Sequence, residues 1–183
     1  MKMKTFKDEQ GFEYSEDKKV LVRAPETVWR YKVPEGTEEI AEDAFVYRML
    51  LERIELPSTL KKIGFGAFNG CRNLLEIEVP DSVESIGAMA FADCTGLYMA
   101  RLPQTLEEIP DCLFGDCTRL SDFKIPASVK SIGDQAFKNC VTLKDVTLPP
   151  NLKYFGCENL EHLFKVKDNI IYTLDGKQVA SIS

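Results

Sequence analysis

The sequence predicts a β-rich solenoid, because a single apolar pattern recurs along the 183-residue chain with a fixed period of 23 residues. Prolines mark the period at Pro34, Pro57, Pro80, Pro103, Pro126 and Pro149. Such periods are typical of solenoids, in which no single unit buries its own apolar face and stacked neighbours build the core together. We therefore expect one continuous core rather than two domains.

Each unit combines two kinds of apolar spacing. Ile77 and Val79 are separated by one charged residue, which is the period of a strand. Phe68, Cys71 and Leu74 are three residues apart, which suits a helical turn. Each unit is therefore predicted to hold a short strand, a proline corner, a second extended piece ending at glycine, and a helical turn.

The complete unit reads P-x-x-[VL]-x-x-I-G-x-x-A-F-x-x-C-x-x-L-x-x-[IV]-x-[LVI], and it resembles the BspA-type leucine-rich repeat. The resemblance covers roughly residues 28–166. It implies a leucine-rich repeat solenoid: a right-handed, β-rich coil of short parallel strands with short helical turns. It also implies a bacterial surface or secreted protein with a role in adhesion.

Two segments outside the repeats resemble each other and predict hairpin caps at both ends. Residues 14–22 and 172–180 share a pattern with turns at Asp17-Lys18 and Asp175-Gly176, the latter a favoured type I′ dipeptide. A solenoid needs its terminal apolar faces covered. Trp29 and Tyr31 are predicted to fill the space between the first cap and the first turn.

The chain is thus expected to form a single domain with four parts. These are an N-terminal cap hairpin and entry strand (1–33), five repeats (34–148), a shortened repeat (149–166) and a C-terminal cap hairpin (167–183). The shortened repeat lacks six residues, including the Ala-Phe pair.

The first repeat departs from the pattern. Arg48 occupies the cysteine position, and additional apolar side chains flank it at Val46, Tyr47, Met49 and Leu50. We expect these side chains to pack under the N-terminal cap, and the alternative is an exposed patch.

The cysteines favour a structural role over a metal site. Five of the six share one position of the repeat: Cys71, Cys94, Cys117, Cys140 and Cys157. A straight row stepped by about 4.8 Å cannot bring four thiolates to about 2.3 Å from one zinc. Its parallel side chains also keep adjacent Cβ atoms beyond the ~3.5–4.5 Å of a disulfide. We expect a buried row of free thiols, with Cys112, outside the row, as the exposed one.

Composition and motifs exclude several classes of function. The net charge of −6 and the absence of a basic stripe argue against nucleic-acid binding. No apolar run reaches the roughly 18 residues of a transmembrane segment. No signal peptide is visible at the start, so a cytoplasmic location stays open beside the surface or secreted one that the resemblance implies.

Catalysis is not expected either. His162 is the only histidine, and the sequence holds no nucleophile elbow, H-E-x-x-H or P-loop. We therefore predict a protein that is not an enzyme and that needs no cofactor or metal.

The candidate binding residues flank the buried strand positions. In leucine-rich repeats these side chains line the concave face, and here they form two rows: Arg53, Glu76, Met99, Asp122 and Asp145, beside Glu55, Glu78, Arg101, Lys124 and Thr147. Neither row is uniform in sign, so ion pairs between turns could account for many of these charges. Both rows lack the Tyr and Trp anchors of binding hot spots.

The predicted function is a non-catalytic interaction module that binds a protein or a glycan through the concave face. Five strands make a strip roughly 24 Å long, and the area of that strip supplies about half of the ~800 Å² that a standard interface needs from each partner. Binding is therefore expected to be weak or avidity-dependent. The alternative is a structural spacer or self-assembly unit without a ligand, and the chain is expected to be a monomer or weakly self-associating.

Overall fold

The fold is a solenoid of short strands, described for residues 4–182 by a computed structural model. The strands in this range are β1 (Thr5–Lys7), β2 (Glu13–Ser15), β3 (Val20–Arg23), β4 (Arg30–Lys32), β5 (Glu39–Ile40), β6 (Arg53–Glu55), β7 (Lys62–Ile63), β8 (Glu76–Glu78), β9 (Ser85–Ile86), β10 (Met99–Arg101), β11 (Glu108–Ile109), β12 (Asp122–Phe123), β13 (Ser131–Ile132), β14 (Tyr154–Phe155), β15 (Phe164–Lys167), β16 (Ile170–Thr173) and β17 (Gln178–Ser181).

Two stacks of parallel strands run along the solenoid. The first stack consists of two sheets, one of β4 and β6 and one of β8, β10 and β12. The second contains β5, β7 and β9 in one sheet and β11, β13 and β14 in another. Partners are always one period apart, as in Met99 opposite Glu76 and Ile63 opposite Ile40. The repeat period therefore sets the register, and the predicted solenoid of parallel strands is confirmed.

The second stack is interrupted at a proline. Gly64, Gly87 and Gly133 each donate their N–H to the isoleucine carbonyl one coil back, at 2.8 Å. Pro110 occupies the same position in its coil and has no N–H to donate. The sheet breaks at this point, between β9 and β11.

Glycine is needed at this position for close approach of the backbones. A Cβ built on Gly64 or Gly87 would collide with the backbone of the preceding coil, at Glu42 and Phe65 respectively. Substitution there would push neighbouring coils apart.

The predicted helical turns are wrong in detail. No residue in 4–182 is helical, and the segment around each phenylalanine is a series of turns. Two residues four apart in each turn have positive φ, as at Asp43 (54°) and Tyr47 (53°), which interrupts a right-handed helix. Their N–H groups bond to the next coil, Asp43 to the carbonyl of Phe65 at 2.9 Å and Tyr47 to that of Asn69 at 2.8 Å. Bonds to the next coil thus alternate with bonds within the turn, such as that from Val46 to the carbonyl of Asp43 at 3.1 Å, and no helix forms.

A stack of phenylalanine rings fills the centre of the solenoid. Phe45, Phe68, Phe91, Phe114 and Phe137 are buried. Consecutive ring centroids are 4.9–5.8 Å apart and the planes lie within 13–21° of parallel. Each ring is thus held by the ring of the coil before and the coil after.

Beside the rings lies a row of buried thiols. Cys71, Cys94, Cys117 and Cys140 are free and buried, and each Sγ donates to a phenylalanine carbonyl 26 residues back at 3.1–3.2 Å. Burial raises the pKa of the Cys71 and Cys140 thiols to about 12. Burial likewise raises the pKa of the Cys94 and Cys117 thiols well above the ordinary value. These thiols serve the fold as hydrogen-bond donors and small apolar groups.

The prediction that Cys157 belongs to the buried row of thiols is wrong, because Cys157 is exposed. The six-residue deletion lies after it, so Cys157 aligns with Asp134 and not with Cys140. Its carbonyl accepts from the N–H of Gln135 at 2.9 Å, and its own N–H donates to Asp134 Oδ1 at 2.9 Å. Cys112, expected to be exposed, is half-buried.

Asn159 completes the backbone hydrogen bonding of the last full coil, where the next Ala-Phe pair is missing. Its side-chain Oδ1 accepts from the N–H of Phe137 at 2.9 Å, in place of the backbone carbonyl that each earlier phenylalanine uses. Its Nδ2 donates to the carbonyls of Gly133 (2.7 Å) and Gly156 (3.0 Å). One buried amide therefore satisfies three backbone groups that the shortened coil would leave unpaired.

The predicted hairpin caps are confirmed, and each gains a third strand. At the start, β1, β2 and β3 are antiparallel and β3 joins β5 in parallel; at the end, β15, β16 and β17 form an antiparallel sheet. The turns predicted at Asp17-Lys18 and Asp175-Gly176 are not type I′, because in each pair only the second residue, Lys18 or Gly176, has positive φ.

Two expectations for the first coil are wrong. Trp29 is 58% exposed and does not fill the space under the cap, whereas Tyr31 does, stacking on Phe12 with ring centroids 3.5 Å apart. Tyr47, Met49 and Leu50 are exposed rather than covered. The reason is Arg48, whose guanidinium folds back to the carbonyl of Ala24 (Nη2, 2.8 Å) and occupies that space itself.

The phenylalanine stack generates the first prediction. Phe91→Ala should lower the free energy of unfolding by about 3–5 kcal/mol, because it opens a cavity between two stacked rings. Phe65→Ala is the matched control, since Phe65 is 45% exposed, and should cost less than about 1 kcal/mol. Urea unfolding of both variants is the measurement, and equal losses would show that the stack is not the main source of stability.

The thiol row generates the second prediction. In the native protein only Cys157 and Cys112 should react with an aromatic disulfide reagent, Cys157 faster, and all six should react in denaturant. Partial desolvation and the nearby Asp134 carboxylate raise the pKa of the Cys157 thiol, so its rate should still be rising above pH 8. Mass spectrometry of the labelled peptides is the check, and rapid native labelling of Cys94 would contradict it.

Candidate interaction face

The candidate residues lie on the outer side of the first strand stack, which we call the strand face. It comprises the outward side chains of β4, β6, β8, β10 and β12 and the extended segment 145–147. Between the two outward rows, Ile54, Ile77, Ala100 and Phe123 point into the core and are buried. The alternation of a strand therefore displays the predicted rows on one surface.

The ten predicted site residues differ in exposure and in support. Glu76 and Met99 are half-buried, and the other eight are exposed. Asp145 and Thr147 lie in a segment that is not a strand, so their positions are not fixed by ladder hydrogen bonds. At the N-terminal end, the first strand stack includes β4, which the two predicted rows did not contain.

Ion pairs connect neighbouring coils across this face. Arg53 Nη1 lies 2.6 Å from Glu76 Oε1, and Arg101 Nη2 lies 2.7 Å from Asp122 Oδ2. The hydrogen bond from Arg101 lowers the pKa of the Asp122 carboxyl. Exposed pairs of this kind contribute about 0–1 kcal/mol each, so they do not explain why the face is charged.

Part of the charge has no partner. Within residues 4–182 neither Glu78 nor Lys124 forms an ion pair, although both are exposed. Glu78, Glu76, Arg53 and Arg101 line a shallow groove of about 750 Å³. The groove offers acceptors and donors of both signs to a ligand.

Sequence reasoning missed two aromatic side chains that border this face. Tyr98 is exposed, directly precedes β10, and donates its hydroxyl to Glu76 Oε2 at 3.3 Å. Trp29 directly precedes β4 and is also exposed. The two occupy equivalent positions of their units, which the other units fill with Glu52, Leu75, Ser121 and Lys144, so no aromatic column marks them.

The described residues show no grouping for metal chemistry. Residues 4–182 contain no group of three or more His, Cys, Asp and Glu side chains able to hold a metal ion. His162 lies in the shortened turn and is half-buried, and its Nε2 is 2.7 Å from the carbonyl oxygen of Leu143. Within the same residues, no helix is long and apolar enough to span a membrane.

The family follows from this architecture and from the sequence match. Residues 38–167 match the family described as the BspA type leucine-rich repeat region, in six copies. The match covers well over half of the chain, which therefore belongs to the BspA-type leucine-rich repeat family. The family and the fold make it a repeat module of the protein-interaction type. No curated protein matches the chain significantly.

Solved bacterial structures share the fold. A leucine-rich repeat protein from Eubacterium ventriosum is similar at a TM-score of 0.73 and 27% identity over 81% of this chain. The Treponema pallidum leucine-rich repeat protein aligns at 0.68 and 30% identity over 84% of this chain and 78% of its own. A leucine-rich repeat protein from Bacteroides ovatus aligns at a TM-score of 0.62 and 27% identity over 85% of this chain. This chain spans 41% of the Eubacterium protein and 54% of the Bacteroides protein.

Proposed function

We propose that the chain is a non-catalytic interaction module that binds a protein or glycan partner through the strand face. The observation that carries this proposal is the groove across β6, β8 and β10, with the unpaired carboxylate of Glu78 in its wall. Tyr98 at its border supplies the kind of flat amphipathic surface that anchors protein and sugar ligands.

The charges of the face are available to a partner because the fold does not depend on them. Glu78 and Arg101 are exposed residues of β8 and β10, and Lys124 is exposed directly after β12, next to strands that are held by backbone bonds and by buried residues. Nothing in the core requires these residues to be charged.

The size of the groove supports weak single-site binding. A strip of five strands is roughly 24 Å long, and a standard interface takes about 800 Å² from each partner. Several copies presented together would therefore bind far more tightly than one. The family resemblance supports a cell-surface or secreted setting, where such multivalent contacts are common.

Charge reversal on the face generates the third prediction. Glu78→Lys with Arg101→Glu should abolish capture of a partner from extracellular-matrix proteins or bacterial envelope extract. The double variant reverses the sign of two charges in the groove and changes no buried side chain. Immobilised folded chain is the bait, and bound material is compared by mass spectrometry.

The matched control exchanges one acid and one base elsewhere. Lys61 and Glu84 form an exposed pair at 3.7 Å beside the second strand stack, so Lys61→Glu with Glu84→Lys keeps a pair there. This variant should capture the same partner as the parent. Equal capture by both double variants would move the site off the strand face, and no capture by the parent would favour a spacer role.

A second candidate function is self-assembly through the first turn, favoured by the exposed apolar side chains of Tyr47, Met49 and Leu50. The Tyr47 ring covers the backbone at Gly70, so the patch is held in place rather than free. The fourth prediction is that sedimentation shows a mass that rises with concentration, and that Met49→Ser with Leu50→Ser removes the rise. A constant monomer mass across the millimolar range would exclude this function.

A further inference from the structure

The first strand of the first stack has a neighbour on one side only. β4 pairs with β6 in parallel, with Arg30 opposite Arg53 and Lys32 opposite Glu55. The carbonyl of Trp29 accepts from the N–H of Arg53 at 3.4 Å, and the N–H of Val33 donates to the carbonyl of Glu55 at 3.0 Å. β4 therefore uses the backbone of residues 29, 31 and 33 toward β6.

The intervening residues face the other edge. Because backbone groups of a strand alternate between its two sides, the N–H and C=O of Arg30 and Lys32 point away from β6. Within residues 4–182 β4 pairs with β6 alone, and outside that pairing the backbone groups of Arg30 and Lys32 form no backbone hydrogen bond. Both residues are exposed.

The N-terminal cap does not cover this edge. Its last strand, β3, joins β5 and so extends the second strand stack, leaving the first stack open. The cap contacts β4 through the Tyr31 side chain, which stacks on Phe12 and whose hydroxyl lies 2.7 Å from that of Tyr14. The inner side of β4 is thus fixed, while its backbone edge faces solvent.

The charge on this edge selects what can pair with it. The side chains of Arg30 and Lys32 are 71% and 76% exposed, and their contacts to Glu52 (3.6 Å) and Glu55 (3.3 Å) are long and solvated. A second copy of β4 added antiparallel would place Arg30 opposite Lys32, and like charges directly opposite are destabilising. An acidic strand would instead complement both cations.

We propose that β4 is a docking edge for an extended acidic segment of a partner protein, which adds to the first stack as a further strand. Its backbone would bond to the free N–H and C=O of Arg30 and Lys32, as in other cases of strand addition. Its alternate acidic side chains would lie on the strand face, beside a groove of about 500 Å³ lined by Arg30, Tyr31, Lys32, Arg53 and Glu55, three of them cationic and one acidic. This groove adjoins the groove of the proposed function and shares Arg53 and Glu55 with it, but the docking site is the backbone edge of β4 and does not depend on the proposed function.

The experiment uses the single tryptophan of the chain as its reporter. Trp29 directly precedes β4 and is exposed, so a strand added there should change its fluorescence. The probe is an acetylated and amidated nine-residue peptide of alternating Glu and Val, titrated into the full chain at low salt. We expect saturable binding that weakens with salt, and about tenfold or more weaker binding of a Lys and Val peptide.

Backbone pairing is tested separately from charge. Two Glu and Val peptides are compared, one N-methylated at one set of alternate amides and the other at the remaining set. One should keep its affinity and the other should bind about tenfold or more weakly, because only one set of amides faces β4. Lys32→Pro should lose binding likewise, since it removes a free N–H at an edge position that tolerates proline, whereas Lys32→Ala should lose only a few-fold.

Three results would overturn the proposal: no saturable change at millimolar peptide, equal binding of the Lys and Val peptide, or equal binding of both N-methylated peptides. The peptide comparison needs no variant to fold. The Glu78→Lys, Arg101→Glu variant should bind the acidic peptide as the parent does. Loss of peptide binding with partner capture intact would thus overturn only the docking edge, and the reverse result only the groove.

Discussion

The architecture depends on hydrogen bonding between coils at a constant offset. Within the repeats, paired strands of neighbouring coils are one period apart and the turns bond to the next coil, so equivalent residues stack on one another. That constraint explains why the interior is a column of like side chains, with Phe68, Phe91 and Phe114 ring on ring. It also explains why a helix does not form in the turns, because positive-φ residues such as Met89 direct their N–H to the next coil.

The departures from the repeat are places where this bonding is interrupted or ends. Pro110 lacks the N–H that its equivalents donate, and the second strand stack breaks there. Arg48 replaces a cysteine and bonds to Ala24, because no earlier phenylalanine carbonyl exists for a thiol. Asn159 supplies from its side chain the acceptor that the shortened coil lacks for Phe137. Each departure has a specific hydrogen-bond consequence.

Function is proposed for the surfaces that this constraint leaves free. Outward positions of the strand face carry no packing requirement, so they vary between charges, Met99 and Thr147 from coil to coil. The two caps cover the ends unequally, and the exposed backbone of β4 is the consequence at the N-terminal end. The groove and the backbone edge are therefore two neighbouring surfaces that a partner could bind.

The sequence by itself determined the period, the parallel register and the buried columns, because stacking makes every core position visible as a repeat. The positions of Phe91 and Cys94 in the core follow from spacing alone. Only the tertiary structure decided the exceptions: that Cys157 is exposed, and that Trp29 borders the strand face. The physical reason is that these residues lie where a coil is shortened or where the cap meets the array. Their neighbours there are set by chain path and not by the repeat.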